Sequence, residues 1–202
     1  MKKLYENIED ININGEISDL TDVVKAIDNS LQNIANMTEQ LTDTLEKYSD
    51  VVKGVQFKKT VDNACELREM LYITSLEFNE MQNQVVEYQN KIYRFEDMTD
   101  YCQRPNPYEV NRRVIEVEDR VVQLKRSDLE RVVAYLNKYN DEVYFQIKNI
   151  LANKNDIASV WRDSQYQDFS EYIDGIAGKV VDSLKVFDDS VNYLNEKIKE
   201  LE

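Results

Sequence analysis

Few residues in this chain have the chemistry to act on a substrate. The 202 residues include no His, which removes the commonest general base, the usual nucleophilic triads and most zinc sites. The two cysteines, Cys65 and Cys102, are too few for a disulfide framework and form no Cys-x-x-Cys pair. Both are expected to stay reduced in a cytoplasm, with one bridge between them as the alternative. Cys65 falls on the apolar face of a predicted helix, so it reads as a small buried hydrophobe before it reads as a nucleophile. There is no P-loop, no glycine-rich nucleotide turn and no Glu-x-x-His, which leaves no phosphate cradle and no di-iron bundle site. The acidic runs Glu116-Val-Glu118-Asp119 and Asp188-Asp189 lack the Gly-centred spacing of a calcium loop and read as solvated faces. The expectation is a protein that is not an enzyme and has no cofactor or metal site.

What remains is recognition chemistry. The single Trp, Trp161, lies in Ile157-Ala-Ser-Val-Trp161-Arg-Asp163-Ser-Gln-Tyr166-Gln-Asp-Phe169, between two amphipathic patterns. Aromatic and apolar residues on both sides of a turn pack across it and fix the angle of a helical hairpin. There are 13 tyrosines. Tyr135, Tyr139, Tyr144, Tyr166, Tyr172 and Tyr193 recur at helical spacing and read as half-buried packing residues, an exposed subset of which would suit a partner surface.

The elements that position these residues are helical. The chain is 42% hydrophobic and 32% charged with only four Gly and two Pro, which suits long helices and not a loop-rich β fold. Residues 1–17 alternate loosely, as in a short extended arm or a frayed turn. A first helix is predicted from Ser18, with Ser18 as its cap and Asp19 and Asp22 at the positive end of its dipole. Its apolar positions are 20, 23, 24, 27, 31, 34, 37, 41, 45, 48, 51 and 52. Gly54 reads as a turn, or as a glycine tolerated inside one longer helix. A second helical pattern runs from Phe57 to Phe95. It ends at Tyr101-Cys-Gln-Arg-Pro-Asn-Pro-Tyr108, where two prolines stop any helix. Residues 113–124 are β-branched and roughly alternating, so an extended arm and a helix are both open. Ser127-Asp-Leu-Glu130 forms a capping box for a third helix that reaches Trp161. A fourth runs from about Gln165 to the C-terminus, with Gly175 and Gly178 as marks of a close helix contact or a soft spot.

The two hairpins match one another. Ser18-Asp-Leu-Thr-Asp-Val-Val24 falls on Ser127-Asp-Leu-Glu-Arg-Val-Val133 at a shift of 109 residues. At that shift Leu20, Ile27, Ile34 and Leu41 meet Leu129, Leu136, Val143 and Ile150, and Val52-Lys-Gly54 meets Trp161-Arg-Asp163. Leu31 and Leu45 meet Asn140 and Lys154, two polar exceptions. The alternative is that any two amphipathic helices align on their shared period.

A capped helix of about ten turns, an elbow and a return helix, with the Trp-x-Gly elevated to the elbow itself, resembles the WXG (Trp-x-Gly) family of type VII secretion. The resemblance covers about residues 121–202 well and 11–100 more weakly. Copy two has Trp161 but Asp163 at the family's Gly, and copy one has Gly54 but Val52 at the family's Trp. The family's Tyr-x-x-x-Asp/Glu export signal is matched in place by Tyr93-Arg-Phe-Glu-Asp97. Tyr5-Glu-Asn-Ile-Glu9 matches in the wrong place, and in copy two Lys197 stands four residues after Tyr193.

The resemblance implies an all-α fold of two tandem antiparallel hairpins in an elongated four-helix bundle, with a short extended segment between them. Its divisions are 1–100, a linker at 101–120, and 121–202. It implies a helical-hairpin interaction protein, either a secreted factor or a chaperone-adaptor, that pairs with a toxin's helical domain and docks on an FtsK/SpoIIIE-type ATPase. The elbow residues Val52, Gly54, Trp161, Asp163, Tyr166 and Phe169, with Tyr93 and Asp97 as export signal, would be its recognition residues. Antiparallel packing of the copies would put Trp161 near Tyr93 and Asp97. The alternative is a structural coiled-coil scaffold unrelated to secretion.

Net charge is -14, which repels phosphate backbones and anionic lipid and disfavours nucleic-acid and membrane-surface partners, unless it serves solubility alone. The expected partner is a protein, or a second copy. Two lysines open the chain with no apolar run behind them, which is not the pattern of a secretory signal peptide. The expected location is the cytoplasm, or outside the cell by a route without a cleaved signal.

Overall fold

The computed structural model describes residues 17–52, 54–95, 115, 125–158 and 164–201. The protein is an all-α four-helix bundle. Its helices are α1 (Ile17–Tyr48), α2 (Val55–Phe95), α3 (Arg126–Ile157) and α4 (Ser164–Glu200). The predicted linker at 101–120 and the arm at 113–124 lie outside the described residues except for Ile115, which is buried. The arm predicted for residues 1–16 lies outside them as well.

The chain forms two compact units, and each takes a segment from every helix. One comprises Met1–Gln32, Ile73–Glu109 and Ile147–Ala177; the other comprises Asn33–Tyr72, Val110–Gln146 and Gly178–Glu202. Both have an apolar core. In the first it is built on Leu20, Ile27, Phe78, Ile150 and Phe169, and in the second on Ile34, Leu41, Phe57, Leu136 and Phe187.

These residues form bundle helices because their buried positions keep a heptad spacing. In α1 the buried row is Leu20, Val24, Ile27, Leu31, Ile34, Thr38, Leu41 and Leu45, in alternating steps of four and three. That spacing holds one stripe against neighbouring helices. The apolar tally placed Met37 in this row; the structure places Thr38 there, because a step of four from Ile34 keeps the stripe straight. In α4 all nine apolar residues predicted for the inner face, from Phe169 to Ile198, are buried.

The polar exceptions to the repeat are buried too. Asn140 occupies the position of Leu31 and Lys154 that of Leu45, and all four side chains are inside. Each polar one has a partner on α4. Asn140 Nδ2 donates to Asp188 Oδ1 at 2.6 Å, and Lys154 Nζ pairs with Asp174 Oδ1 at 2.7 Å. The two pairs are 14 residues apart on both helices, two heptads, as an antiparallel register requires.

Several local expectations are corrected. α1 is already helical at Ile17, one residue ahead of its predicted cap Ser18. In α3 the first helical hydrogen bond runs from the Leu129 N–H to the Lys125 carbonyl, so Lys125 holds the cap position and Ser127 lies inside the first turn. Glu130 pairs with Arg126 Nε at 2.8 Å instead of closing a capping box. Gly175 and Gly178 face open space, with nothing within 4 Å of a Cβ added to either, so they mark no close helix contact. Cys65 is half-buried, not enclosed.

Candidate functional site

The first elbow is a true turn. α1 ends at Tyr48, whose carbonyl accepts from the N–H of Val51 at 3.0 Å and of Val52 at 2.8 Å. Gly54 then takes φ 113°, a conformation that side chains with a Cβ avoid. Its carbonyl accepts from Lys58 N at 2.9 Å and starts α2. Val52 tucks inside the turn, fully enclosed. The side chain of Val52 therefore anchors this elbow, and Gly54 supplies its backbone reversal.

At the second elbow, Trp161 and Asp163 lie outside the described residues. The flanking residues are placed. Ile157 is buried at the end of α3 and Phe169 is buried in the second turn of α4. Tyr166 is half-buried, its ring centroid 6.4 Å from that of Phe169, and its hydroxyl donates to the Lys154 carbonyl at 3.2 Å. Tyr166 thus ties the start of α4 to the last turn of α3. Tyr93 belongs to the last turn of α2, but its side chain, Asp97 and the predicted proximity of both to Trp161 fall outside the described residues.

The structure brings together residues that the apolar pattern passed over. Thr38 Oγ1 donates to the Ile34 carbonyl at 2.8 Å, so at 2.7 Å from Tyr139 Oη it is the acceptor of the tyrosine's proton. Tyr139 meets Phe187 edge to face, with centroids 5.4 Å apart and planes at 89°. Tyr139 was expected half-buried and is enclosed, which pushes its hydroxyl pKa up. The cleft beside it, lined by Met37, Gln40, Tyr135, Lys138, Tyr139 and Glu142, holds about 20 Å³, the room of one water. It is too small for a substrate. A heptad reading of α1 would have found Thr38; nothing local marks Tyr139 as its partner, 101 residues away.

Other buried polar contacts are of the same kind. Thr60 Oγ1 and Ser190 Oγ lie 2.6 Å apart, and Asn63 Nδ2 donates to the Ser183 carbonyl at 3.0 Å. Residue numbers rise along α2 as they fall along α4, so in this unit the two helices run antiparallel. In the other unit Tyr172 Oη donates to Glu77 Oε2 at 2.9 Å. Arg68 is buried with Nη1 3.5 Å from Thr42 Oγ1 and 3.9 Å from Glu39 Oε2. At that distance Glu39 is a Coulombic neighbour, not a hydrogen-bond acceptor. Around Cys65, burial raises the thiol pKa and the Arg68 charge lowers it by less, which keeps the thiol protonated and a poor nucleophile at neutral pH.

Among the described residues no group of three or more His, Cys, Asp or Glu side chains is placed to hold a metal ion. No helix among them is long and apolar enough to cross a membrane. Large exposed apolar side chains sit on α2 (Val55, Ile73, Leu76) and α3 (Tyr144, Phe145), whereas the exposed positions of α1 and of α4 are polar or Gly. No family model, curated protein or solved structure matches this chain.

Proposed function

We propose that this protein is a non-enzymatic helical-hairpin interaction protein of a type VII-like secretion system. It serves as secreted factor or chaperone-adaptor for a helical toxin domain and docks on an FtsK/SpoIIIE-type ATPase. The observation that carries this reading is the antiparallel run of α2 against α4, set by the Thr60–Ser190 and Asn63–Ser183 contacts. Two hairpins packed that way put the elbow of one beside the return helix of the other. In agreement, α2 beyond Ile73 and the residues that bracket the second elbow, Ile157 and Ser164, belong to one compact unit. Trp161 and Tyr93 are then the recognition residues, with Asp97 completing the export signal, and the protein works in the cytoplasm or leaves it without a cleaved signal.

The test is an affinity pull-down of the tagged chain from its host's lysate, read by mass spectrometry, beside the variants Trp161→Ala and Tyr93→Ala. Recovery of a secretion ATPase or a toxin with a helical N-terminal domain, lost in the variants while helicity is kept, is the expected result. Recovery of only the chain itself or of structural proteins would favour the scaffold reading, which the regular heptad rows of α1 also fit.

A further inference from the structure

The outer face of α2 keeps the same heptad spacing as its inner face. Val55, Lys59, Asp62, Glu66, Glu69, Ile73, Leu76 and Glu80 follow one another in alternating steps of four and three, and all are exposed. They lie on one uninterrupted helix, so the straightness of the row comes from helix geometry alone. Val55 is 68% exposed, Ile73 47% and Leu76 45%. A helix with one buried face normally shows water a polar stripe. Here the stripe has two adjacent aliphatic residues one turn apart, with acidic residues before and after them.

We propose that this stripe is a docking face for one partner helix, basic and amphipathic, with Leu or Ile at three- and four-residue spacing flanked by Lys or Arg. Ile73 and Leu76 take the partner's apolar seam. Asp62, Glu66 and Glu80 face its basic flanks, the charge arrangement that sets partner choice in coiled coils. Self-association through this face would set acidic rows against each other in a chain of net charge -14, so a second copy is the wrong occupant. The exposed pair on α3, Tyr144 and Phe145, has Lys138, Asp141, Glu142 and Lys148 around it and selects no sign of charge. This surface is distinct from the elbow residues, and it does not depend on the secretion reading.

The probe is a synthetic 28-residue helical peptide with Leu at its seam and Lys and Arg beside it, labelled for fluorescence anisotropy and titrated against the full chain. Binding is expected to weaken at least about tenfold from 0.1 to 1 M NaCl, as the screening length falls from about 10 to about 3 Å. It is expected to weaken by about tenfold or more in Ile73→Ser/Leu76→Ser, and similarly in Asp62→Lys/Glu66→Lys/Glu80→Lys. All these side chains are exposed, so circular dichroism melts should stay close to wild type. Equal binding by a scrambled peptide of the same composition would reduce the effect to general acidity and overturn the proposal. So would absence of binding, undiminished binding by Ile73→Ser/Leu76→Ser, or a loss that follows Tyr144→Ser/Phe145→Ser instead.

Discussion

The hydroxyls of Thr38 and Tyr139 meet 2.7 Å apart inside the bundle, one on α1 and the other on α3. Thr38 sits in the middle of an otherwise apolar row, and its hydroxyl proton is committed to the Ile34 carbonyl. The tyrosine proton therefore has one acceptor, and an apolar residue at 38 would leave it stranded. Thr38→Val is expected to cost about 1–3 kcal/mol, and Tyr139→Phe about 1 kcal/mol because the ring contact with Phe187 survives. The double variant should cost less than the sum, since no unpaired hydroxyl is left. Urea denaturation of the four proteins measures the coupling; strict additivity would show that the contact contributes nothing.

Asn140 and Lys154 stand where the first hairpin has Leu31 and Leu45. A buried polar pair replaced by a well-packed apolar residue is often neutral or stabilising. Asp188 and Asp174 are on the exposed side of α4, so neither would be stranded. Asn140→Leu/Lys154→Leu is expected to raise the urea midpoint, by about 1 kcal/mol or more in total, whereas Lys154→Ala should lower it through lost packing. A double-leucine variant less stable than wild type would mean that the Asp188 and Asp174 contacts outweigh the burial of two leucines.

The glycines divide by environment. Gly54 has a positive φ that strains any Cβ, so Gly54→Ala should destabilise by about 1–2 kcal/mol. Gly175 and Gly178 are mid-helix with open space around them. Gly175→Ala and Gly178→Ala should each stabilise by about 0.5–1 kcal/mol. Thermal melts of the three variants check both signs; a stabilising Gly54→Ala would refute the turn geometry.

Burial raises the carboxyl pKa of Asp28 above its ordinary value, and a hydrogen bond from Gln82 lowers it by less. Between the ordinary and the raised value the folded chain holds a proton that the unfolded chain has released. Stability from this group therefore falls as pH rises through that window, and the charged carboxylate weighs on the fold at neutral pH. Asp28→Asn keeps an acceptor for Gln82 and removes the charge. Its urea midpoint is expected above wild type at about pH 7, with the gap closing as pH is lowered toward about 4. A gap that does not change with pH would mean that Asp28 titrates normally.

The sequence alone determined the helices and their inner faces. Apolar residues at steps of three and four over 30 residues or more leave no other structure that buries them, and α4 follows that pattern without exception. Val52 and Gly54 were legible as an elbow because a glycine ends the periodic run. Tyr166 and Phe169 were legible as its counterpart because aromatics cluster beside the second break. Tertiary structure alone decided which polar residues go inside. Thr38, Thr60, Arg68, Asn140, Lys154 and Ser190 are buried, and no local pattern marks them, because a polar side chain is tolerated in a core only when a partner from another helix satisfies it. Those partners are up to 130 residues away. The same holds for the outer stripe of α2: its residue types are visible in the chain, but that Ile73 and Leu76 face outward follows only once the inner face is filled by Leu71, Thr74, Ser75 and Phe78.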